Sequence, residues 1–325
     1  MSVKSEVLNI LENNKGNSVS GQDLAEILSV SRTAIWKAIN SLKEEGYIIE
    51  ATSNKGYSLS TTSDVLYEEG IKQFLNKEFK NNEIFVYKTI DSTNTEAKRK
   101  ALEGAAHGTV IISEEQTSGR GRLGRDFFSP PQSGIYLSII LKPKLNIANS
   151  ILITTAASTA VCSAIDEFTD IKPQIKWVND IYIGDKKVCG ILTEAVTDFE
   201  SGNIESIVLG IGLNVKTDEN DFPEDLRNIA SSVFKTNESF SNRNKLAAEI
   251  INNILNMFET LENREFLKMY KERSFVIGRN IKYKRNNEWT EAFAKDIDDN
   301  GGLVVVLNDG QIDVLNSGEI SVRRL

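Results

Sequence analysis

The stretch 174–196, which reads QIKWVNDIYIGDKKVCGILTEAV, decides the fold class of this 325-residue chain. Two largely apolar runs, predicted as strands near 174–183 and 187–196, flank the pair Gly184-Asp185. Glycine adopts a positive φ without strain at the first central position of a two-residue turn, so this pair suits a β-hairpin. Antiparallel hairpins among helices indicate an α+β fold rather than a doubly wound parallel sheet.

The chain on both sides of this hairpin alternates strands with helices. Further strands are predicted near 84–90, 109–113, 135–141 and 205–215, and helices near 94–103, 149–168 and 243–262. The stretch 145–165 has no charge, but eight of its residues are Asn, Ser or Thr, which is too polar for a membrane span. We expect a buried helix packed through small residues there. These segments predict one central mixed-sheet domain over residues 63–272.

Residues 1–62 are predicted to form a separate winged helix-turn-helix domain. Three short helical patterns precede a two-stranded ribbon whose polar tip lies at 52–55. In the third helix, Ile35, Ile39 and Leu42 fall at i, i+4 and i+7 and must face inward. The candidate DNA-binding residues of this domain are Gly21, Gln22, Arg32, Thr33, Trp36, Lys37 and Asn40.

The distribution of charge decides whether that surface suits DNA. The chain has 38 Lys and Arg against 46 Asp and Glu, a net charge of −8, which excludes a protein that coats nucleic acid or an anionic membrane over its whole surface. The third helix nevertheless carries Arg32, Lys37 and Lys43 before its first acid, Glu44. Basic side chains contact phosphates, and Asn or Arg read base edges, so this pattern favours a recognition helix. The alternative is a solvated helix face on a protein-interaction domain.

The last stretch, 273–325, is predicted to be a small SH3-like β-barrel. Five short strand-like runs, NIKYKR, AFAKDID, LVVVL, QIDVL and EISVRR, are separated by turn residues such as those at 299–302. Closely spaced strands without a helical pattern favour a small barrel. The predicted fold class is therefore α+β and multidomain, with a winged helix, a mixed-sheet domain and a barrel.

The cysteine and histidine content excludes several kinds of site. Cys162 and Cys189 form no Cys-x-x-Cys zinc pattern and cannot build a disulfide framework, so we expect both to be buried and inert. A single histidine, His107, makes a Ser-His-Asp triad or a His-based metal site hard to build, and we assign it no role. The N-terminus lacks the apolar core of a signal peptide, which predicts a cytoplasmic protein without a membrane partner.

The segment 119–124, GRGRLG, matches the G-x-G-x-x-G pattern of dinucleotide-binding loops. Its surroundings do not fit, because six residues separate the preceding strand from Arg120 and a Pro-Pro pair follows instead of a helix. What remains is a flexible glycine loop that carries Arg120, Arg122 and Arg125. Three clustered guanidiniums repel one another, so we expect an anion such as a triphosphate or an acyl phosphate to neutralise them and order the loop. The alternative is an exposed turn with arginines for solubility.

A second polar cluster surrounds the central hairpin. Lys176, Asn179, Asp180 and Lys187 bring two cations, an amide and a carboxylate close together. An Asn-Asp pair beside lysines suits Mg²⁺ and a triphosphate, because this hard metal ion takes oxygen ligands. The alternative is a surface hairpin with ordinary charges.

Two further motifs are weaker. The segment 210–215, GIGLNV, ends a strand with small residues, which indicates that the backbone passes close to a ligand. The segment 91–94, DSTN, follows a strand and can cap the next helix, whose exposed N-terminus can also offer its amides to a small polar ligand.

Together these motifs resemble the biotin protein ligases, and specifically the bifunctional bacterial type that also represses the biotin operon. The matching residues are Ser92, Thr93, Asn94, Gln116, the segments 119–125, 176–180 and 210–215, Lys187 and Gly190. The winged helix and the barrel also match, so the resemblance spans the whole chain. Val178 stands where the family usually has proline. The resemblance implies a biotin/lipoyl ligase-like fold and a catalytic role for the central domain.

The resemblance also implies a reaction. The family joins the carboxylate of biotin to ATP in the presence of Mg²⁺, which gives biotinyl-5′-AMP, and then passes biotin to a lysine of a biotin carboxyl carrier protein. Lys187 and Arg122 are the implied catalytic cations, and Asp180 is the implied metal ligand. The implied biotin-binding residues are Ser92, Thr93, Asn94, Gln116, Arg120, Gly121, Arg122, Lys187 and Gly190. The implied ATP-binding residues are Arg120, Arg122, Arg125, Lys176, Asn179 and Asn214.

The implied partners are the acceptor domain of the carrier protein, operator DNA and, when the adenylate is bound, a second copy of the chain in a homodimer. Two alternatives stay open: a lipoate or octanoate protein ligase, and a repressor that senses a ligand without catalysis. Lys187 and the three loop arginines argue against the sensor, because sensing requires no stabilisation of transition-state charge.

Overall fold

The computed structural model describes residues 2–53, 55–142, 150–197, 204–235, 240, 242–285, 288–316 and 319–322. These residues form an N-terminal helical unit with a β-ribbon, a central seven-stranded sheet with helices on both faces, and a C-terminal five-stranded sheet. The predicted α+β multidomain architecture is confirmed. Among these residues, every helix is too short or too polar to span a lipid bilayer.

The N-terminal unit has the predicted winged helix-turn-helix order. It consists of α1 (Val3–Asn13), α2 (Gly21–Ile27), α3 (Arg32–Glu44) and an antiparallel ribbon of β1 (Ile49–Thr52) and β2 (Gly56–Leu59). The hydroxyls of Ser20 and Ser31 accept hydrogen bonds from backbone amides in the first turns of α2 and α3, which fixes where both helices begin. Ile35, Ile39 and Leu42 are each 1% exposed, as their spacing predicts.

The central sheet contains seven strands: β3 (Ile84–Tyr87), β4 (Val110–Ser113), β5 (Gly134–Leu141), β6 (Gln174–Lys176), β7 (Asp180–Ile183), β8 (Lys186–Thr197) and β9 (Ile204–Asn214). Their order across the sheet is β3-β4-β5-β9-β8-β7-β6. β3 pairs with β4 in parallel, whereas the other neighbouring strands pair antiparallel. The sheet is therefore mixed, as predicted, and not doubly wound.

The stretch 174–183 corrects one prediction, because it forms two strands rather than one. β6 ends at Lys176, the chain turns, and β7 starts at Asp180, which pairs directly with Lys176. An unbroken strand would hold those two side chains far apart along its axis. The turn instead brings Lys176, Asn179 and Asp180 together. The hairpin that follows is as predicted, with Gly184 at φ 58°.

Helices cover both faces of the sheet: α4 (Glu68–Lys72), α5 (Thr93–Leu102), α6 (Ser150–Asp166), α7 (Arg243–Glu259) and α8 (Phe266–Arg273). α5 packs on one face through Ala97 and Ala101 against a small apolar cluster. α6 and α7 belong to the main core on the other face, where Ala156, Ala160 and Ala164 of α6 are almost fully buried. The buried small-residue helix is confirmed over 150–165, and residues 145–149 of that prediction lie outside the described residues.

The C-terminal unit is an antiparallel sheet of β10 (Asn280–Arg285), β11 (Glu288–Ile297), β12 (Leu303–Leu307), β13 (Ile312–Leu315) and β14 (Glu319–Val322). All five predicted strands are present, although β11 begins at Glu288 rather than at 292. The indole N–H of Trp177 donates a buried hydrogen bond of 2.9 Å to the carbonyl of Gly301. This contact attaches the C-terminal sheet to the turn between β6 and β7.

A buried ionic network clamps the linker between the winged helix and the central sheet. Arg243 is 1% exposed, and its guanidinium lies 3.2 Å from a carboxylate oxygen of Asp64 and 2.8 Å from one of Glu114. The amide of Leu66 donates to Glu114 at 2.6 Å, and Lys216 pairs with Asp64 at 3.2 Å. A buried charge is tolerated only when it is paired and hydrogen-bonded. Because Asp64 and Leu66 of the linker take part in this network, the linker has a defined conformation.

Candidate active site

A small cavity of about 50 Å³ lies at the N-terminal end of α5, between the glycine loop and strands β8 and β9. Every residue that the resemblance implies for biotin lines it: Ser92, Thr93, Asn94, Gln116, Arg120, Gly121, Arg122, Lys187 and Gly190. These residues come from four separate parts of the chain, and the fold brings them together around one space.

The start of α5 corrects the expected cap. Within the described part of the chain, Ser92 makes no side-chain capping hydrogen bond to this helix. The side-chain oxygen of Gln116 instead accepts from the amide of Thr93 at 2.8 Å, and the Gln116 amide nitrogen donates to Ser129 at 2.9 Å. A glutamine from the connection between β4 and β5, which follows α5 in the chain, therefore caps the helix and fixes its own amide orientation on the cavity wall.

Asn94 is held in one orientation by two partners, the buried Ser138 and the half-buried Glu194. Its side-chain oxygen accepts from the hydroxyl of Ser138 at 2.6 Å, and its side-chain nitrogen donates to Glu194 at 2.8 Å. A Cβ on Gly210 would lie 2.0 Å from the Asn94 oxygen, so only glycine leaves room for this side chain. The glycines of the segment 210–215 therefore accommodate a neighbouring side chain of the protein itself, a use that the expected ligand contact did not include.

The glycine loop folds back on itself. Gly121 donates its amide hydrogen to the carbonyl of Arg125 at 2.7 Å, and Leu123 at the tip has φ 57° and is 77% exposed. Arg120 lies 3.5 Å from Glu194, and Arg122 donates to the side-chain oxygen of Asn179 at 2.9 Å.

The expected mutual repulsion of the loop arginines is thus corrected for two of them. Arg120 is paired with a carboxylate from β8, and Arg122 with an amide from the turn between β6 and β7. The reason is physical: the two side chains point to different parts of the sheet and find separate partners there. The binding of an anion by the loop arginines stays a prediction.

A second, larger cavity of about 280 Å³ adjoins the first. The residues predicted for ATP or metal that line it are Arg122, Arg125, Lys176, Asn179, Asp180 and Asn214. The rest of its wall includes aromatic and aliphatic side chains, among them Phe128, Trp177, Tyr182 and Phe222. Arg120 lines the smaller cavity, so its predicted contact with ATP stays a prediction. The wall combines cations with apolar surface, which suits a ligand that has both an anionic and an aromatic part.

The two cavities share part of their walls. Gly121, Arg122, Phe127, Asn179 and Lys187 line both. The two cations predicted to be catalytic, Arg122 and Lys187, therefore lie at the junction. Lys187 is paired with Asp180 at 2.7 Å, and 32% of its side chain is exposed.

The described wall of the larger cavity has two carboxylate side chains, Asp126 and Asp180, and amide oxygens from Asn179 and Asn214. Asn214 donates from its side chain to the carbonyl of Ser231 at 3.1 Å, while its own buried side-chain oxygen has no hydrogen-bond partner among the described residues. Asp180 is the acid in this wall that also holds Lys187. Over the described ranges, no group of three or more His, Cys, Asp or Glu side chains is placed to hold a metal ion.

The cysteines and the histidine lie where the sequence predicts no role for them. Cys162 and Cys189 are fully buried, and burial raises the pKa of the Cys162 thiol to about 12 and that of Cys189 further. Thiols with such pKa values stay protonated and unreactive at neutral pH. The ring of His107 packs against Phe258 and accepts from the amide of Lys142.

Three residues of the small cavity and its support were not predicted. Ser138 is a buried hydroxyl in an otherwise largely apolar strand, and that pattern was the available signal. Phe127 contributes its ring to both cavities, and Glu194 binds groups from α5 and the loop. Glu194 gave no local signal, because its partners are distant in the sequence.

The candidate DNA-binding residues lie on one side of the winged helix unit. The exposed ones are Gln22, Arg32, Thr33 and Lys37. Trp36 is 55% exposed and is not among the described core residues of this unit. Gly21 and Asn40 are half-buried. A groove between α2, α3 and the ribbon is lined in part by Gly21, Gln22, Arg32 and Thr52.

Comparison with known proteins identifies the class of protein that this fold and site define. Residues 86–214 match the biotin/lipoate A/B protein ligase family, residues 4–58 an HTH domain and residues 276–323 the biotin protein ligase C-terminal domain. The chain is thus built as a protein ligase of the biotin and lipoate class with a helix-turn-helix domain in front of it.

Full-length relatives narrow this class. The chain is 34% identical over 300 residues to the bifunctional ligase/repressor BirA of Bacillus subtilis, covering 90% of each chain. It is 30% identical over 318 residues to the protein of that name from Escherichia coli, covering 95% of this chain and 94% of that one. The chain belongs to the BirA family of bifunctional ligases and repressors. The solved biotin protein ligase from Aquifex aeolicus in complex with biotin and ATP superposes with a TM-score of 0.63 at 26% identity, over 75% of this chain and 99% of that one.

Proposed function

We propose that the chain is an ATP-dependent biotin protein ligase that acts on a biotin carboxyl carrier protein and also represses transcription of biotin genes. One observation carries the ligase proposal: the residues implied for biotin and those implied for ATP line two adjoining cavities that meet at Arg122, Asn179 and Lys187. A reaction between the carboxylate of biotin and the α-phosphate of ATP needs such a junction, because the two anions must come into contact.

In the first step, a carboxylate oxygen of biotin forms a bond to the α-phosphorus of ATP. The bond between that phosphorus and the oxygen leading to the β-phosphate breaks, and pyrophosphate leaves with the electron pair. Biotinyl-5′-AMP, a mixed anhydride, remains. The step forms no bond to the protein, so its catalysis rests on positioning and on charge.

Arg122 and Lys187 supply that charge at the junction. Hydrogen bonding to Asn179 and pairing with Asp180 orient the two cations along the cavity wall. A cation that is already oriented stabilises charge developing on phosphate oxygens without a further cost of reorganisation. We assign the larger share to Lys187, since it lines both cavities from a strand rather than from a loop.

The donor set of the larger cavity fits Mg²⁺ held chiefly by phosphates and water. The carboxylate of Asp180 and the side-chain oxygen of Asn214, which has no hydrogen-bond partner within the described ranges, are oxygen ligands of the kind this ion takes, and one or two protein ligands suffice when it enters with a triphosphate. When bound there, Mg²⁺ would offset negative charge on the phosphates.

In the second step, the neutral amine of the acceptor lysine attacks the acyl carbon, and AMP leaves with the electron pair of the anhydride oxygen. The lysine nitrogen releases one proton to water, and an amide bond remains. Water competes with the amine for this intermediate. We expect the glycine loop 119–125 to close over the adenylate and exclude water until the acceptor docks.

Mass spectrometry of an acceptor domain tests this proposal. After incubation with the full chain, Mg-ATP and biotin, the acceptor is expected to gain one biotinyl group, and omission of ATP should abolish the gain. Parallel reactions with lipoate and octanoate distinguish the other ligase class. Biotin binding without transfer or adenylate formation would favour a repressor that only senses its ligand.

The repressor function rests on the exposed face of α3. Arg32, Lys37 and the indole of Trp36 project from one side of a helix whose other side is core. We infer that this face binds operator DNA and that the adenylate favours a homodimer, which presents two such faces to a two-fold site in the cytoplasm. Sedimentation and operator binding, each with and without biotin and ATP, test the two parts separately.

A further inference from the structure

Glu194 lies on β8 beside the small cavity and binds three groups from two other parts of the chain. Its carboxylate lies 2.5 Å from the ammonium of Lys98 on α5, accepts from the side-chain nitrogen of Asn94 at 2.8 Å, and lies 3.5 Å from the guanidinium of Arg120 in the glycine loop. Its side chain is 18% exposed. One carboxylate thus connects the start of α5, the sheet and the loop.

The position of Glu194 follows from the alternation of side chains along β8. Gly190, Leu192 and Glu194 are two residues apart and share one face of the strand. The first two line the small cavity, as does the intervening Ile191, and Glu194 contacts Asn94 and Arg120 of the same cavity. Glu194 therefore continues the same wall, one step beyond the residues that bound the cavity itself.

The carboxylate determines which way the amide of Asn94 points. An ionised carboxylate only accepts hydrogen bonds, so it requires the nitrogen of the amide to face it. The oxygen of the amide then faces Ser138, whose hydroxyl donates to it at 2.6 Å. Because the nitrogen and the oxygen of the Asn94 amide each have a fixed partner, one N–H and one oxygen lone pair remain for a ligand, and both have a defined direction.

The carboxylate also balances two cations. Lys98 and Arg120 both approach the same oxygen of Glu194. Although partial burial acts to raise the pKa of Glu194, hydrogen bonds from Lys98 and Asn94, with the charge of Arg120, hold that pKa below its ordinary value. The group is therefore ionised at neutral pH. Without its charge, the two cations would repel each other, and Arg120 would leave the cavity wall.

We infer that Glu194 is a positioning residue of the ligase. It holds the amide of Asn94 and the side chain of Arg120, at the start of the glycine loop, in the geometry that binds biotin. The inference rests on the proposed assignment of the small cavity to biotin. Glu194 acts through Asn94 and Arg120 and does not itself contact the reacting atoms.

The variant Glu194→Gln tests this role in the full chain. It keeps the shape of the side chain, but it removes the charge, and its amide can turn a nitrogen toward Asn94. In ATP–pyrophosphate exchange, we expect the KM for biotin to rise about tenfold, while the KM for ATP and the kcat stay within about twofold. Glu194→Asp keeps the charge on a shorter stem and should fall between the wild type and the Gln variant. Glu205→Gln, at an exposed acid on the neighbouring strand β9, is the matched control and should leave all three parameters unchanged.

An unchanged KM for biotin in Glu194→Gln would overturn the inference, and so would equal rises in both KM values, which indicate a general structural role. Should the Gln variant fail to fold, the same two readings apply to Glu194→Asp. If the wild-type chain shows no biotin-dependent exchange, the proposed function fails, and calorimetric titration of each variant with biotin alone then decides the role of Glu194 by the same tenfold criterion.

Discussion

Lys187→Ala is the sharpest test of the proposed chemistry. Lys187 belongs to both cavities and is held 2.7 Å from Asp180, so its ammonium has a defined place at the junction where the two substrates meet. Truncation to alanine removes that charge and leaves the strand backbone in place, since the Lys187 amide still donates to the carbonyl of Ile229.

The size of the effect follows from the environment of the ammonium. A preoriented donor in an active site contributes about 3–4 kcal/mol to the transition state. Lys187 is one-third exposed and shares its charge with Asp180, so we take the lower end, about 3 kcal/mol, which is roughly a hundredfold loss of rate. The variant also leaves Asp180 without its counter-charge beside the phosphates, which makes this loss a minimum.

Single-turnover adenylate formation with saturating biotin and Mg-ATP measures this loss, and calorimetric titration with biotin alone separates binding from chemistry. We expect biotin affinity to change less than tenfold. The matched control is Lys186→Ala on the same strand, because Lys186 pairs at the surface with Glu219 and such a pair contributes at most about 1 kcal/mol to stability. A rate within fivefold of wild type in Lys187→Ala, with Lys186→Ala unchanged, would remove Lys187 from the catalytic residues.

Four further outcomes are expected. Arg122→Gly should leave the protein folded without ligand, because a partly exposed loop charge adds little stability. The variant should release biotinyl-5′-AMP, which labels lysines of a bystander protein, and retention of the adenylate would show that the loop does not close over it. A chain that begins near Thr62 should still biotinylate an acceptor domain but lose operator binding, and loss of activity in a well-folded truncation would contradict the 62/63 boundary. Lys37→Ala should weaken binding to all DNA sequences and reduce the salt dependence of binding by about one phosphate contact. Asn40→Ala should instead relax specificity at one base pair by about 1–3 kcal/mol, and gel shifts at several salt concentrations distinguish the two results. Arg243→Met should lower the free energy of unfolding by about 3–5 kcal/mol in urea titration, because the buried carboxylate of Glu114 loses its cation and that of Asp64 keeps only Lys216, and a loss under 1 kcal/mol would contradict this role of Arg243.

Local patterns in the sequence were sufficient to predict most of the elements. The spacing of Ile35, Ile39 and Leu42 predicts the buried side of α3, and Gly184 predicts the hairpin, because both signals depend on neighbours within a few residues. The division of 174–183 into two strands was not predictable in this way. Most of its residues suit a strand, and although Asn179 and Asp180 suit a turn, the turn is also held by distant residues: the carbonyl of Val178 accepts from Ser158 and from Tyr270.

The members of the candidate site were predictable as residues but not as contacts. Motifs that combine Gly with Arg, or Lys with Asn and Asp, identify the groups that suit an anionic substrate. They do not indicate what those groups bind in the folded chain. The cap of α5 illustrates the difference, because the sequence favours a local cap from the segment 91–94, and the side chain that accepts from the amide of Thr93 is that of Gln116.

The expected repulsion among the loop arginines and the omission of Glu194 have one cause. Repulsion within the segment 119–125 was judged from charges adjacent in sequence, whereas the charge on Arg120 is balanced by an acid on a strand much later in the chain. Asn94 and Glu194 are likewise 100 residues apart, and they meet because α5 packs across β8. A cluster of like charges in a sequence is therefore a reason to search the fold for their partners. A ligand should be assigned to such a cluster only after those partners are known, and in this site Arg120 already has a carboxylate partner in Glu194.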